Sequence, residues 1–250
     1  MIPKIIHYCW FGRNPLPEDA VKCIESWQKF LPDYEIRRWD ESNFDIDSTV
    51  YTAEAYRKKR YAFVSDYVRF WALYNYGGIY FDTDVELIRP IDDIIERGCF
   101  MGYEQGFGKQ RPNVGLGIGF SAKHVFLNRI LQYYNITSYI VNVRADIVVT
   151  VVDVVESLLK EYDIVHLADG VDRIGENIYI YPKEYFSPME WETRKMCITD
   201  KTRSIHWYNA SWMPFIKEGR LSVCDKVNNI LIRYQVKFIF FCKRLYKRLR

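Results

Sequence analysis

The stretch from Ser65 to Glu86, SDYVRFWALYNYGGIYFDTDVE, constrains the fold of this chain more than any other part. Large apolar side chains recur at helical spacing in its first half, which predicts a helix over residues 62–76. The pair Gly77-Gly78 is typical of the end of a helix. Residues 79–81 then form a short predicted strand, which delivers Asp82-Thr83-Asp84 at its tip. The stretch therefore predicts a helix that turns directly into a strand with an acidic end.

The charged residues of this stretch are spaced so that they share faces. Side chains two positions apart on a strand point to the same side, so Asp82 and Asp84 leave one face at a strand end. Asp66 and Arg69, three apart on the predicted helix, also share a face. Two carboxylates at a strand tip suit a hard divalent cation bound to a phosphorylated ligand, because such cations prefer oxygen donors. The alternative is an acidic turn beside a surface ion pair, but the whole spaced string favours the site.

The segments around this stretch predict an α/β fold. Residues 2–10 and 34–39 have the apolar character of strands, and a helix with an apolar face lies between them over residues 17–31. A strand, a helix and a strand in this order favour a parallel pair in an open sheet, whose ligands bind at the carboxyl ends of the strands. A further strand is predicted over residues 99–104, whereas the β-branched run 147–155 has no assigned role.

The composition is that of a folded protein. The chain has 250 residues, of which 49% are hydrophobic and 27% charged, so one substantial domain is expected. The net charge of +3 is too small to indicate nucleic acid as a partner. Six cysteines occur without metal-binding spacing, which favours a reducing compartment. No signal peptide and no run long enough to span a membrane is recognised, so we expect a cytoplasmic protein.

The C-terminal residues differ in charge from the rest of the chain. Residues 225–250 hold eight basic side chains and one acid, so they carry +7 and residues 1–224 carry −4 of the total of +3. Apolar residues recur there at four-three spacing, which predicts a cationic amphipathic helix. Such a helix suits an anionic membrane surface, although packing on the domain or on a second subunit would use the same pattern. We expect a domain over residues 1–224 and a membrane-associating tail over residues 225–250.

The central string, S-D-x-x-R-x-x-x-L-x-x-x-G-G-x-Y-x-D-x-D, resembles the DXD-motif sugar transferases of glycosyltransferase family 32. That family includes yeast initiating mannosyltransferases and bacterial polysaccharide-building enzymes, and the glucosyltransferase domain of the large clostridial toxins is similar. The resemblance is dense over residues 1–126 and returns at residues 206–212. It implies a GT-A type, Rossmann-like mixed sheet flanked by helices, here followed by the C-terminal amphipathic helix.

The resemblance assigns two donor-binding residues. In the family an aromatic residue at the end of the first strand stacks on the nucleotide base, and Trp10 within HYCWFG matches it; a core tryptophan is the alternative. An asparagine of the family faces the donor sugar, and Asn113 within NVGLGIGFS matches it. The alternative there is plain close packing of a glycine-rich segment.

The closing motif of the family is matched by SIHWYNASW, which spans residues 204–212. In the family a histidine or serine of this motif completes the metal shell, and a tryptophan contacts the departing phosphate. By position the resemblance implies His206 and Ser211 as metal ligands and Trp212 as the phosphate contact, although a single histidine is also common in purely structural roles.

The chemistry of sugar transfer suggests roles for several polar residues of the stretch from Ser65 to Glu86. Departure of a nucleoside diphosphate requires that its negative charge be stabilised, and a divalent cation serves that purpose. We assign Asp84 to direct metal ligation and Asp82 to the metal shell or the ribose. Asp66 and Arg69 are expected to hold the sugar hydroxyls, and Tyr80 to donate to a phosphate or the ribose.

The resemblance implies a metal-dependent, retaining glycosyltransferase that moves a hexose from a nucleotide-diphosphate sugar. UDP is the first nucleotide expected and GDP the second, with Mn²⁺ as the metal and Mg²⁺ as its alternative. The expected acceptor is a growing, lipid-linked polysaccharide such as a capsule, or another glycan, at the inner face of a membrane.

Two other classes remain open. A haloacid-dehalogenase-like phosphatase also ends a strand in DxD, but it expects threonine or valine where this chain has Glu86. It would not explain Asp66 and Arg69 either. The other class is a non-catalytic sugar- or membrane-binding relative of the same fold, against which the intact Asp82 and Asp84 argue.

Overall fold

The computed structural model describes residues 1–106, 109–144, 147–175, 177–190 and 195–208. Its helices are α1 (Glu18–Phe30), α2 (Val50–Arg57), α3 (Tyr61–Tyr76), α4 (Asp92–Arg97), α5 (Val125–Ile136), α6 (Tyr139–Asn142), α7 (Val151–Leu159) and α8 (Lys183–Phe186), with a 3-10 turn at Ile46–Ser48. Its strands are β1 (Ile5–Cys9), β2 (Glu35–Trp39), β3 (Gly78–Tyr80), β4 (Val85–Leu87), β5 (Cys99–Gly106), β6 (Lys109–Asn113), β7 (Ile118–Phe120), β8 (Val143–Arg144), β9 (Ile147–Val148), β10 (Ile164–His166), β11 (Asp172–Ile174), β12 (Ile178–Tyr181) and β13 (Ser204–His206).

Nine of the strands in the described part of the chain form one mixed sheet. Along it the order is β10-β11-β12-β5-β7-β3-β1-β2, and β6 pairs with β5. The strands β2, β1 and β3 are parallel, and β5 is parallel to β12, whereas β7 lies antiparallel between β3 and β5. A separate antiparallel pair joins β13 to β4. The expected α/β fold, a mixed sheet flanked by helices, is confirmed, and its GT-A type stays what the resemblance implies.

Helices cover both faces of the sheet because successive residues of each strand point to opposite sides. On one face Trp27 of α1 is buried with Ile6 and Tyr8 of β1. On the other face α3, α5 and α7 bury their apolar sides in a larger cluster that includes Phe70 and Val154. Both faces are thus closed, and the carboxyl ends of β1 and β3 remain as the edge where a ligand can bind.

Two glycines make the abrupt step from α3 to β3 possible. Gly77 has a φ of 66° and Gly78 a φ of 108°, a region that favours glycine. A Cβ on Gly78 would lie 2.5 Å from the carbonyl oxygen of Ile5 on the neighbouring strand, so a side chain is excluded there. The buried imidazole of His7 donates from Nε2 to the carbonyl oxygen of Gly77 at 2.8 Å. The predicted helix, glycine pair and strand are confirmed, close to the predicted bounds.

The β-branched run at 147–155 is divided between a strand and a helix. Its first residues form β9, and α7 begins after Thr150, whose hydroxyl accepts from the backbone N–H of Asp153. The Asp153 carboxylate accepts in turn from the backbone N–H of Thr150. This reciprocal capping begins the helix although its residues are individually better suited to strands.

The proposed tail lies outside the described residues. The boundary at residue 224 and the predicted amphipathic helix over residues 225–250 both fall in the part after residue 208, so this division stays a prediction. Among the residues that the structure describes, no helix combines the length and the apolar character needed to cross a membrane.

Candidate active site

The acidic strand tip is supported by elements from both ends of the chain. Asp82 lies two residues after the end of β3, and β4 begins three residues after Asp82. The indole N–H of Trp27, on α1, donates to the carbonyl oxygen of Val85 at 2.7 Å and so holds the first residue of β4. On its other side β4 pairs with β13, in the register that places His206 opposite Val85. This pairing brings His206 to Asp84.

Three side chains that can bind a cation converge at this tip, namely Asp82, Asp84 and His206. One ligand atom of each lies within 4.8 Å of the others. The Nε2 atom of His206 is 3.2 Å from Oδ1 of Asp84. The other ring nitrogen, Nδ1, is buried and has no hydrogen-bond partner among the described residues. Two carboxylates and an imidazole at this spacing fit a divalent metal ion.

The electrostatics of the cluster also favour a cation. Burial alone would lower the pKa of His206, but the carboxylates of Asp84, Asp82 and Glu104 outweigh burial and raise it above its ordinary value. The same negative potential would stabilise a bound metal ion, which requires the imidazole in its neutral form. A proton on His206 and a cation at the cluster therefore compete with each other.

Asp66 and Arg69 of α3 form a buried ion pair that also reaches the strand tip. The Nη2 atom of Arg69 lies 2.9 Å from Oδ1 of Asp66 and 3.3 Å from Oδ1 of Asp82. Burial raises the pKa of Asp66 to about 6, against the opposing positive charge of Arg69. Since Arg69 is 4% exposed, this is not the surface pair of the alternative. The pair holds Asp82 in place, and its contact with sugar hydroxyls stays a prediction.

Tyr80 shares the strand face of Asp82, as the alternation of the strand predicts. Its hydroxyl donates to Oδ1 of Asp82 at 2.8 Å, and the ring of this tyrosine is fully buried. The guanidinium of Arg69 lies over that ring, 4.9 Å from the centroid. Tyr80 therefore orients the Asp82 carboxylate, and its donation to a phosphate or the ribose stays a prediction.

Trp10 lies where β1 ends, at the ligand edge of the sheet. Its backbone N–H donates to the carbonyl oxygen of Trp39 at 2.9 Å, and its indole N–H donates to that of Asn14 at 2.7 Å. The loop is held by Glu41, whose carboxylate accepts from the backbone N–H of Gly12 at 2.6 Å. The Trp10 side chain is half-buried rather than enclosed in the core. Stacking of Trp10 on a base stays a prediction that this position allows.

Asn113 lies beside the strand tip. It hydrogen-bonds to Glu104 and Gly115, two residues that the sequence did not single out. Its side-chain NH2 donates to Oε2 of Glu104 at 2.7 Å, and its amide oxygen accepts from the backbone N–H of Gly115 at 2.8 Å. The carbonyl oxygen of Gly115 accepts from the backbone N–H of Asp82 at 3.1 Å. A Cβ on Gly115 would overlap the Asp82 carboxylate, so only glycine fits. The glycine-rich segment was a signal for Gly115, whereas nothing distinguished Glu104.

Tyr208 is a further residue that the sequence did not single out. Its ring lies against that of His206, with 4.1 Å between the centroids. Its hydroxyl is 2.6 Å from the hydroxyl of Ser187 and donates to Oε2 of Glu104 at 3.4 Å. Tyr208, two residues after the candidate metal ligand His206, is thereby hydrogen-bonded to β5, the strand that carries Glu104.

The remaining predicted residues of the closing motif, Ser211 and Trp212, lie outside the described residues, so their roles stay predictions. Trp207, within the described part, is exposed, and its indole N–H donates to Oε2 of Glu86 at 2.9 Å. Its backbone N–H donates to the carbonyl oxygen of Asp84 at 2.9 Å, which extends the contact between β13 and the strand tip.

Residues 17–101 match the family described as "Glycosyltransferase sugar-binding region containing DXD motif". The matched segment contains the pair Asp66–Arg69 and both carboxylates of the DxD, Asp82 and Asp84. The resemblance found in the sequence is thereby confirmed over this segment.

Curated relatives carry the same kind of name. Inositol phosphoceramide mannosyltransferase 3 of Schizosaccharomyces pombe is 34% identical over 135 residues, which are 52% of this chain and 36% of the relative. Mannosyl phosphorylinositol ceramide synthase CSH1 of Saccharomyces cerevisiae is 30% identical over 148 residues, which are 54% of this chain and 39% of the relative. The match thus spans well under half the length of either relative.

Two solved structures align with this chain at low sequence identity. PaToxG glycosyltransferase aligns with a TM-score of 0.42 and 18% identity, over 52% of this chain and 59% of that one. A glycosyltransferase involved in the glycosylation of the major capsid of PBCV-1 aligns with a TM-score of 0.47 and 12% identity, over 84% of this chain and 95% of that one. Because both TM-scores are below 0.5, the fold is defined by the chain's own sheet topology and not by these alignments.

Proposed function

We propose, from the match of residues 17–101 to the DXD glycosyltransferase family, that this chain is a metal-dependent glycosyltransferase whose donor is a nucleotide-diphosphate sugar. The observation that supports the metal most directly is the convergence of Asp82, Asp84 and His206. An acidic turn without a ligand does not need a histidine from a distant strand, least of all one with an unpartnered buried nitrogen among the described residues.

A divalent ion held by Asp84, His206 and Asp82 would supply a Lewis acid for the charge that develops on the leaving diphosphate. The chain itself supplies orientation and a fixed positive charge. Burial alone would lower the pKa of Arg69, but the charges of Asp82 and Asp66 raise it, so the guanidinium stays protonated. Arg69 and Tyr80 together hold the Asp82 carboxylate in one orientation. His206 would have to be in its neutral form to hold such a cation.

The finer assignments belong to the same proposal. Mn²⁺ is the metal we propose, since an imidazole nitrogen is a softer ligand than Mg²⁺ prefers. UDP is the proposed nucleotide, with GDP as the alternative, and the reaction is proposed to retain the anomeric configuration. These three assignments are supported by the resemblance of the chain to its family.

The proposed acceptor is a lipid-linked glycan. The names of the fungal relatives refer to mannose and to inositol phosphoceramide, a lipid. They support a lipid-linked acceptor and make mannose a sugar to test beside glucose, and a growing polysaccharide such as a capsule is the other acceptor of this kind. The basic residues at 225–250 support a peripheral position on an anionic membrane surface, which we place at its cytoplasmic face.

Release of nucleoside diphosphate from a panel of sugar nucleotides tests the proposed activity. The panel is UDP-glucose, UDP-galactose, UDP-N-acetylglucosamine and GDP-mannose, each with Mn²⁺ and with a chelator. We expect hydrolysis of one donor with Mn²⁺ only, and a loss of roughly a hundredfold in Asp84→Asn, because that substitution weakens a direct metal ligand.

The matched control for this experiment is Asp169→Asn, which removes an acid that is paired with Arg97 away from the site. It should hydrolyse the donor like the wild type. Hydrolysis that persists with the chelator, or no hydrolysis of any donor, would contradict the proposal. Release of inorganic phosphate from phosphomonoesters would favour the phosphatase instead.

A further inference from the structure

Glu104 is an acidic side chain at the site to which the proposed function assigns no role. It lies on β5 opposite Arg111 of β6, so Asn113 is its diagonal neighbour on the same face of the hairpin. The preceding residue, Tyr103, points to the other face, where its hydroxyl donates to Asp172 at 2.8 Å. The alternation of β5 therefore directs Glu104 toward the candidate active site.

Two donors from different elements meet at one oxygen of Glu104. The Oε2 atom accepts from the side-chain NH2 of Asn113 at 2.7 Å and from the hydroxyl of Tyr208 at 3.4 Å. Tyr208 has a φ of 51°, a left-handed conformation that is uncommon for a bulky residue. Such a conformation persists only where the surroundings hold it, and the contacts of the Tyr208 hydroxyl are among those that do.

Each of these donors leads to one part of the proposed site. On one side, the amide oxygen of Asn113 accepts from Gly115, and Gly115 packs against and hydrogen-bonds to Asp82. On the other side, the Tyr208 ring lies against His206, which pairs with Asp84. Glu104 thus contacts both the amide that is predicted to face the donor and the tyrosine whose ring lies against the predicted metal ligand.

We propose that Glu104 is a positioning residue that holds the Asn113 amide and, through Tyr208, the imidazole of His206. The donor half of this inference rests on the proposed function, whereas the metal half does not require a nucleotide. Loss of the carboxylate would leave the Asn113 NH2 without this acceptor and release the Tyr208 ring. Residues that orient metal ligands from outside the shell typically change metal affinity by about 10- to 100-fold.

Calorimetric titration with Mn²⁺ alone, without nucleotide, tests the metal half on the full chain. Glu104→Ala should weaken Mn²⁺ binding by about tenfold or more, and Tyr208→Phe by a smaller factor in the same direction. Glu104→Gln should restore binding to near the wild-type level, because its amide oxygen accepts the same two hydrogen bonds. Tyr103→Phe is the matched control, since it removes a hydroxyl from the opposite face of β5 and should leave Mn²⁺ affinity unchanged.

Titration with UDP-glucose or GDP-mannose at saturating Mn²⁺ tests the donor half. Glu104→Ala should lose more nucleotide-sugar affinity than Tyr208→Phe, because only Glu104 contacts Asn113. The double variant Glu104→Ala/Tyr208→Phe should bind Mn²⁺ no more weakly than Glu104→Ala, since both substitutions act on one contact. Thermal midpoints measured without metal show which variants fold. If Glu104→Ala does not fold, the Mn²⁺ affinity of Tyr208→Phe decides the metal half.

The inference is overturned if Glu104→Ala binds Mn²⁺ and nucleotide like the wild type, or if Glu104→Gln is as impaired as the alanine variant. A wild type that binds Mn²⁺ but no nucleotide would contradict the proposed function and leave the Mn²⁺ titrations to decide the role of Glu104. A wild type that does not bind Mn²⁺ at all would overturn both.

Discussion

His7 and His206 show how the partners of a histidine, rather than its identity, separate a structural residue from a candidate ligand. Both nitrogens of His7 are used, because Nε2 donates to Gly77 at 2.8 Å and Nδ1 accepts from the indole N–H of Trp39 at 3.0 Å. Burial lowers the pKa of His7 to about 4, although the bond to Gly77 opposes this. His206 instead faces Asp84 with one nitrogen, and its other nitrogen has no partner in the described ranges.

The neutral state of His7 predicts how stability depends on pH. Its folded pKa of about 4 lies below the ordinary value of 6.5, so the unfolded chain binds the proton more readily between these values. The contribution of His7 to the free energy of unfolding is therefore complete above pH 6.5 and falls by about 3 kcal/mol as the pH is lowered to 4. In urea denaturation across this pH range, the free energy of unfolding should fall with decreasing pH more steeply for the wild type than for His7→Gln. A His7 imidazole that titrates near its ordinary pKa by NMR would contradict the account.

At the scale of elements, the helix–glycine–strand step is the part that the sequence specifies most completely. The apolar spacing of α3, the pair Gly77-Gly78 and the short β3 are all local signals, and the structure places them close to the predicted bounds. Local signals do not reveal which strand lies beside the tip. The approach of His206 depends on the pairing of β13 with β4, which could be expected only from the resemblance.

Two further features were also not predicted from the sequence. Glu104 looks like any acid on a half-exposed strand until the β5–β6 hairpin places Asn113 diagonally across from it. The run 147–155 is β-branched, yet α7 forms because the capping by Thr150 and Asp153 and burial against the sheet outweigh residue preference. Tertiary pairing decides the first case, and capping together with burial decides the second.

The glycine step can be tested by two substitutions that differ in one respect. Gly78 and Gly170 both have positive φ, of 108° and 83°, but a Cβ would clash with the Ile5 carbonyl only at Gly78. A Cβ on Gly170 would have its nearest neighbour, Cγ of Pro182, 3.9 Å away. We expect Gly170→Ala to cost about 1 kcal/mol of unfolding free energy from backbone strain, and Gly78→Ala to cost at least about 3 kcal/mol. Equal losses in urea denaturation would show that the contact with β1 does not matter.

At the scale of the whole molecule, the candidate site is assembled from segments far apart in the chain. Trp10 follows the first strand, the pair Asp66–Arg69 comes from α3, and His206 comes from the last described strand. All of them lie around the carboxyl ends of parallel strands β1 and β3, which is where an α/β sheet binds ligands. We propose the chemistry for the acidic tip and membrane attachment for the basic residues 225–250, which lie outside the described residues.

Removal of residues 225–250 tests that separation. We expect the truncated chain to be released from phosphatidylserine-containing liposomes in a sedimentation assay, because the tail carries a charge of +7 and each basic side chain near an anionic surface adds roughly 1 kcal/mol. Donor hydrolysis should persist. Liposomes of phosphatidylcholine alone are the control and should retain little of the full chain. A truncated protein that still sediments with anionic liposomes would disprove the role of the tail.

The most direct test of the central claim is thermal unfolding with UDP, GDP or CMP, each with and without Mn²⁺, on wild type and Asp84→Asn. A ligand at a hundredfold its dissociation constant adds about 2.7 kcal/mol to the free energy of unfolding, which raises the midpoint measurably. The account predicts that one nucleotide raises the wild-type midpoint only with Mn²⁺, and that Asp84→Asn loses this rise. If no nucleotide raises the wild-type midpoint with Mn²⁺, the cluster of Asp82, Asp84 and His206 is not a nucleotide–metal site.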